Sequence, residues 1–486
     1  MTHFSAVPLL SVPPNSAPSP PRQSREDGQS DTCDRVGQNV KTSGIEQFTD
    51  PQPRNWSVDI EANAPLRRTA LTLSPGEPDR SHAIDDVEPL PARVAFLTHY
   101  IPLYQVRVFQ EITQRVEDFR VLLSTPIEPN RDFKLDWTGL DVRVQRTITL
   151  RRRWRHARAG FDDPLYVHVP VDTRMQLGAI QPDVIVSHEL GARSYAAMRY
   201  CRRHGSKLVL ATFMSEHTEQ GRGRLRQAVR KRLIAAADAV TYNGPSCREV
   251  LLSLGASPDK LFPFPYAADD RLRIEVAPRR SEDENRHRLL CIGQLTQRKG
   301  VMPLIRDANA YCRSSSRSLE LTFIGDGPLR SSIEAIIDGR STHGFESILG
   351  DHFQLASGLS IRLLGNQPAE ELPQLMQHYS IVIAPTLADE WLMVVNEAMH
   401  AGMPVIGSIY AQAVTTMIRD GHNGWRYDPL QPGDLDRALH TYFQTSGDQL
   451  AMMRRHAIAS VSTMTPSASA KGLMKAIRSV YPTVES

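Results

Sequence analysis

The sequence predicts an α/β protein made of two doubly wound parallel sheets, each with helices on both faces, meeting across a cleft. Three observations predict it. Short apolar runs alternate with helical patterns from residue 93 onward. The series breaks at 277–287, a polar stretch of mixed charge that reads as an interdomain linker. The alternation then restarts, and several of its strands run into glycine-containing turns at the carboxyl edge, where such sheets bind ligands.

The elements follow in order. Of the 34 prolines, 13 lie in the first 91 residues, in clusters such as Pro13-Pro14 and Pro20-Pro21. Residues 1–91 are therefore expected to be a disordered Pro/Ser-rich tail. Residues 92–276 form the first βα series, with strands at 93–97, 121–123, 184–186, 208–211 and 239–242. Residues 288–465 form the second, with strands at 289–292, 319–324, 361–364, 381–384 and 405–406. Continuous apolar runs of this length suit parallel strands buried on both faces. Residues 466–486 are expected to be a C-terminal helix, centred on 468–480.

Composition excludes several classes. The 486 residues are 41% hydrophobic, enough for two cores, and no run of 18 apolar residues could span a bilayer. The segment Met1 to Leu10 has no basic region before its apolar run, so no secretory signal is expected. Cys33, Cys201, Cys247, Cys291 and Cys312 are scattered, without metal-ligand spacing, and read as free thiols in a reducing cytosol. A net charge of +3 gives no support to nucleic-acid binding. Two basic clusters stand out nonetheless: Arg151, Arg152, Arg153, Arg155 and Arg158 around Trp154, and Arg222 through Arg232. They are either solvated faces or contacts to an anionic membrane or phosphorylated acceptor.

Three strand-to-helix junctions of the second series carry chemistry. Gly293 to Gly300 offers a close backbone approach together with Arg298 and Lys299, which suits a diphosphate. Gly325-Asp326-Gly327-Pro328 is a second tight turn. The third runs from Ala384 through Asp389 and Glu390 to a helix carrying Glu397, where a carboxylate can accept two ribose hydroxyls. Asp389 and Glu390 lie where a sugar could be held. The tight Asp434-Leu435-Asp436 pair reads as a helix start, not as a metal motif.

Taken together these motifs resemble the nucleotide-sugar-binding half of glycosyltransferase family 4, of GT-B fold. The resemblance rests on Gly293-Gln294-Leu295 with Arg298-Lys299-Gly300, on Gly325 to Pro328, on the acid-x7-Glu pattern from Asp389 to Glu397, and on Gly402-Met403-Pro404 and Asp420 to Trp425. It implies two Rossmann-like domains and a retaining glycosyltransferase, a hexosyltransferase, in polysaccharide or glycolipid synthesis. Its donor would be a nucleoside-diphosphate sugar, with no cofactor and no metal required. Its acceptor would be a glycan or a lipid-linked molecule. The enzyme would be cytoplasmic, with a peripheral contact at the anionic inner membrane face.

The resemblance also implies residue roles. Lys299 would bind the diphosphate, Glu397 the ribose and Asp389 the donor sugar. Gly293, Arg298, Gly325, Gly327, Glu390, Val395 and Asn396 complete the expected donor set. Asp389, Glu397 and His217 are the expected catalytic residues. Tyr104, Arg107 and His188 are expected on the acceptor side. Departures from the family pattern are Gln294 for arginine, Leu392 for glycine, and Met214 where some members carry histidine. They keep a second reading open, a catalytically weakened protein of the same fold that binds a nucleotide sugar or a partner.

Overall fold

Strands buried on both faces need near-continuous apolar runs, and this chain forms a strand at every run identified above. The computed structural model describes residues 88–129, 131, 134–221, 223–269, 285–340, 344–349 and 353–481. The expected tail up to residue 87, the linker residues 277–284, Cys33 and Arg222 lie outside them.

The first part of the chain forms β1 (Leu90–Thr98), β2 (Val116–Leu123), β3 (Asp141–Val144), β4 (Thr147–Arg155), β5 (Asp162–Pro170), β6 (Val184–His188), β7 (Lys207–Ala211), β8 (Ala239–Tyr242) and β9 (Leu261–Pro263). Seven of these make a parallel sheet in the order β3-β2-β1-β6-β7-β8-β9. The second part forms β10 (Arg288–Ile292), β11 (Leu319–Ile324), β12 (Leu359–Leu363), β13 (Ile381–Ala384), β14 (Val405–Ser408) and β15 (Gly424–Tyr427). These make a six-stranded parallel sheet, β12-β11-β10-β13-β14-β15. Strand order reverses between β1 and β6, and again between β10 and β13. The carboxyl ends at those reversals are the expected ligand crevices.

Each sheet has an apolar cluster on either face. Every residue of β6 and of β13 is buried. The C-terminal helix Pro466–Val480 returns to the first sheet, where Leu473, Met474 and Ile477 join the cluster of β1 and β2. Cys201, Cys247, Cys291 and Cys312 are buried and unbridged.

One element departs from the βα alternation. β4 and β5 form a separate antiparallel hairpin, pairing Trp154 with Asp163. The first arginine cluster lies on it, with Arg151, Arg152, Arg153 and Arg155 exposed and Trp154 buried. Trp154 and Phe161 pack with Leu387 and Ala388, from the loop after β13. Strands β3, β9 and β15 were also not anticipated. The second basic cluster lies on the helix Arg224–Ala236, where Arg224, Lys231 and Arg232 are exposed and Arg230 is buried in an ion pair with Glu219. Among the described residues, no helix is long and apolar enough to cross a membrane.

Candidate active site in the cleft

The turns after β10, β11 and β13 interlock. Gly325 adopts φ 130°, and a Cβ there would sit 2.1 Å from the carbonyl oxygen of Gly293. Gly300 adopts φ 70°, and a Cβ there would sit 2.0 Å from the carbonyl oxygen of Pro385. Any side chain at either position would push two turns apart. Backbone bonds complete the assembly, from Leu295 N–H to Asp326 and from Leu387 N–H to Arg298. Gly293, Gly325 and Gly327 are thus neighbours at one sheet edge.

Within that frame Asp389 is buried and meets both predicted cations. Its Oδ2 accepts from Lys299 Nζ at 2.5 Å and from Arg298 Nη1 at 3.2 Å. Burial pushes the Asp389 carboxyl up, but Lys299 and Arg298 outweigh it and hold the group below its usual range. Burial lowers Lys299, while the carboxylates of Asp389 and Asp163 keep Arg298 firmly charged against the same effect. Arg298 Nε donates to Asp163 Oδ2 of β5 at 2.9 Å.

Glu390 behaves oppositely to its neighbour. Burial, with the Asp389 charge beside it, pushes its carboxyl up to about 7. Tyr266 Oη donates to its Oε1 at 3.1 Å, and the Tyr104 ring lies 5.2 Å from that of Tyr266. Tyr104, expected on the acceptor side, therefore reaches the donor-side acid through Tyr266. Adjacent carboxyls driven apart in this way are a common signature of functional sites.

Glu397 lies on the helix Met393–His400. Burial alone raises it to about 7. Its carboxyl makes no hydrogen bond or ion pair among the described residues, an arrangement that suits a group meant to receive ligand hydroxyls. Val395 and Asn396 on the same helix are fully buried. Asn396 Oδ1 accepts from Trp391 Nε1 at 2.7 Å, which braces the loop. Both were expected in the donor set, and the structure buries their side chains. Leu392, at φ 87°, holds a conformation that glycine favours, in agreement with the glycine of the family pattern.

The first domain closes on this loop from the other side. Ser215 Oγ donates to the Asp389 carbonyl at 2.8 Å, and Asn243 Nδ2 to the Glu390 carbonyl at 3.0 Å. His217 stands two residues beyond Ser215, lowered by burial, with its ring 5.1 Å from that of Tyr410 and its Nε2 3.2 Å from Glu216. His188, at the end of β6, is buried with Nδ1 2.9 Å from Thr98 Oγ1, and burial lowers it to about 3. Arg107 is not drawn into this group. Its Nη1 donates to Gln110 on its own helix, Leu103–Thr113.

His99, His188 and Glu189 bring ligand-type atoms within 4.8 Å of one another. Arg193 Nη1 lies 3.7 Å from Glu189, and His99 and Arg193 hold that carboxyl down at about 2 against its burial. The nearby arginine makes the group a poor host for a cation. Asp434 and Asp436 occupy the first turn of the helix Asp434–Gln444, and Asp434 is bound to Arg437 and to the Asp428 backbone.

Asp163, Glu189, Tyr266 and Ser215 were not singled out from sequence. Only Asp163 had a local signal, the period-two pattern of 162–170, which marks a strand.

Residues 286–444 match the sequence model of the glycosyl transferases group 1. The chain is 29% identical to the D-inositol 3-phosphate glycosyltransferase of Salinispora arenicola over 205 residues, 40% of this chain and 43% of that protein. The match thus spans less than half the relative's length. Among solved structures, Anabaena Alr3699/HepE in complex with UDP superposes with a TM-score of 0.58 at 15% identity, covering 80% of this chain and all of that one. Sucrose-phosphate synthase from Thermosynechococcus elongatus gives 0.57 at 14% identity, covering 80% and 99%. The fold is therefore GT-B, and residues 286–444 are similar to the glycosyl transferases group 1.

Proposed function

We propose that this protein is a retaining glycosyltransferase. It moves a sugar, a hexose, from a nucleoside-diphosphate donor to a glycan or lipid-linked acceptor. The observation that carries this reading is Glu397, a half-buried carboxyl with no hydrogen bond or ion pair among the described residues, in a region that matches the group 1 family model. Two ribose hydroxyls would supply the missing partners. The neighbour solved with UDP-glucose supports a nucleotide-sugar donor.

In this reading Lys299 and Arg298 offset charge that develops on the leaving diphosphate, and the glycine turns let backbone N–H groups approach it. Asp389, kept ionised, orients the donor sugar and Lys299 together. The acceptor enters beside Tyr104, His188 and His217. Attack occurs on the face the diphosphate leaves, assisted by that phosphate, so configuration is retained. Positive side chains supply the field, and no metal is required. Full activity in chelator is the expected result, and complete loss restored by magnesium would contradict it.

The exposed arginines of β4, with Ile148 and Leu150 exposed beside them, support a peripheral contact with an anionic membrane at the cytoplasmic face. Flotation with anionic vesicles at low salt tests it, and no association rejects it. One observation favours the second reading, a binding protein of weakened activity: both cations already hold carboxylates, Asp389 and Asp163. Thermal shift with UDP, GDP and ADP tests the nucleotide assignment. Stabilisation by one of them is expected, and no shift from any at millimolar concentration contradicts it.

A further inference from the structure

We infer that Asp163, on the β4–β5 hairpin, is a positioning residue for the donor site: through Arg298 it limits how tightly the nucleoside diphosphate is held and so speeds its release. The inference rests on the nucleotide-sugar reading above.

The geometry starts from the hairpin's anchorage. Trp154, which pairs with Asp163 across the strands, is buried with Phe161, Leu387 and Ala388. Trp154 Nε1 also donates to the Gln220 carbonyl, and His156 Nε2 lies 3.0 Å from the His217 carbonyl. In the turn between the strands the Arg158 guanidinium stands 4.9 Å from the centre of the Tyr410 ring and 3.8 Å from Asp428. The hairpin is therefore seated on both domains by apolar packing, hydrogen bonds and the Arg158 contacts, so its place does not rest on the Asp163 charge alone.

That charge has another consequence. Arg298 donates from Nε to Asp163 and from Nη1 to Asp389, while Lys299 donates to Asp389. Two cations thus face two carboxylates, so neither Arg298 nor Lys299 meets an arriving diphosphate with its charge uncompensated. Asp389 comes from the donor domain itself and is assigned to the donor sugar. Asp163 comes from the other domain, touches no assigned substrate group, and stands only against Arg298. A carboxylate there weakens the pull of Arg298 on phosphate and repels the anion that remains after transfer. Release of a tightly bound product limits many enzymes, so a built-in counter-charge favours turnover.

The test uses the full chain and three probes, UDP, GDP and ADP. The probe that the wild type binds best is titrated calorimetrically into wild type, Asp163→Asn and Asp163→Glu at low salt. Asp163→Asn keeps shape and removes charge. Its expected effect is nucleotide binding about three- to tenfold tighter, as for removal of one partly screened charge. Asp163→Glu should return toward wild type. With the matching nucleotide sugar, KM and kcat of Asp163→Asn should fall together. A purely structural role gives the opposite sign, weaker binding with a lower melting temperature. Unchanged or weaker binding in Asp163→Asn, with wild type binding well, overturns the inference and leaves the nucleotide-sugar reading standing. Absence of wild-type binding to all three probes overturns both. Should Asp163→Asn fail to fold, the claim that the hairpin's place does not rest on this charge is wrong, and Asp163→Ser decides the sign.

Discussion

Glu397→Gln separates stability from function in one residue. In the wild type, burial lifts this carboxyl from its usual value near 4.3 to about 7, with no cation to offset the cost. A carboxyl raised in the folded state supports folding fully below its unfolded pKa. The folded state then loses stability relative to the unfolded one as pH climbs toward 7, because the unfolded chain ionises first. Each pH unit in that window is worth about 1.4 kcal/mol, so the cost above pH 7 approaches about 4 kcal/mol, and the half-buried position reduces it to about 2 kcal/mol. Glutamine keeps the shape and removes the ionisation. Glu397→Gln should therefore melt at a higher temperature than wild type at pH 8 and at about the same temperature at pH 4.5. The same change should weaken nucleoside-diphosphate binding roughly tenfold, since hydrogen bonds to a charged acceptor contribute about 1.5–3 kcal/mol. Melting curves at the two pH values, with nucleotide titrations at pH 8, are the assay. An equal shift at both pH values, or a lower melting temperature at pH 8, would refute the reasoning about burial. Unchanged nucleotide affinity would refute the ribose assignment.

Other outcomes follow from the same geometry. Lys299→Ala should reduce nucleotide affinity at least tenfold in calorimetry, because the half-buried cation proposed to meet the diphosphate is lost. It should also raise the Asp389 carboxyl toward its usual range, which a carboxyl-carbon NMR titration would read. Tyr266→Phe removes the bond to Glu390, so the Glu390 titration should move up from about 7, with a stability loss of about 1 kcal/mol. Trp154→Ala should cost about 3 kcal/mol in urea unfolding, since it empties the junction between the hairpin and the loop at 387–388.

The legible parts of this molecule are those written in contiguous residues. Buried parallel strands such as β6 and β13 are apolar throughout, so local composition announces them. The acidic loop after β13 was equally readable as a local feature, because Asp389, Glu390 and Glu397 stand within one turn and one helix. The β4–β5 hairpin escaped notice because most of it is exposed and its arginines look like a solvated face. The partners of the acidic loop were hidden for a different reason. Tyr266, Ser215 and Asp163 reach Glu390, Asp389 and Arg298 from more than 100 residues away, and nothing near them in sequence signals the meeting. Val395 and Asn396 were placed in the donor set beside Glu397, and the structure adds that the helix turns both side chains into the core.

Sugar transfer is most directly tested by incubating the protein with a panel of UDP-, GDP- and ADP-sugars and following nucleoside diphosphate release, with Asp389→Ala as the control. Release from one donor, lost in Asp389→Ala, is the predicted result. No release from any donor, in the presence of glycan and lipid-linked acceptors, would contradict it.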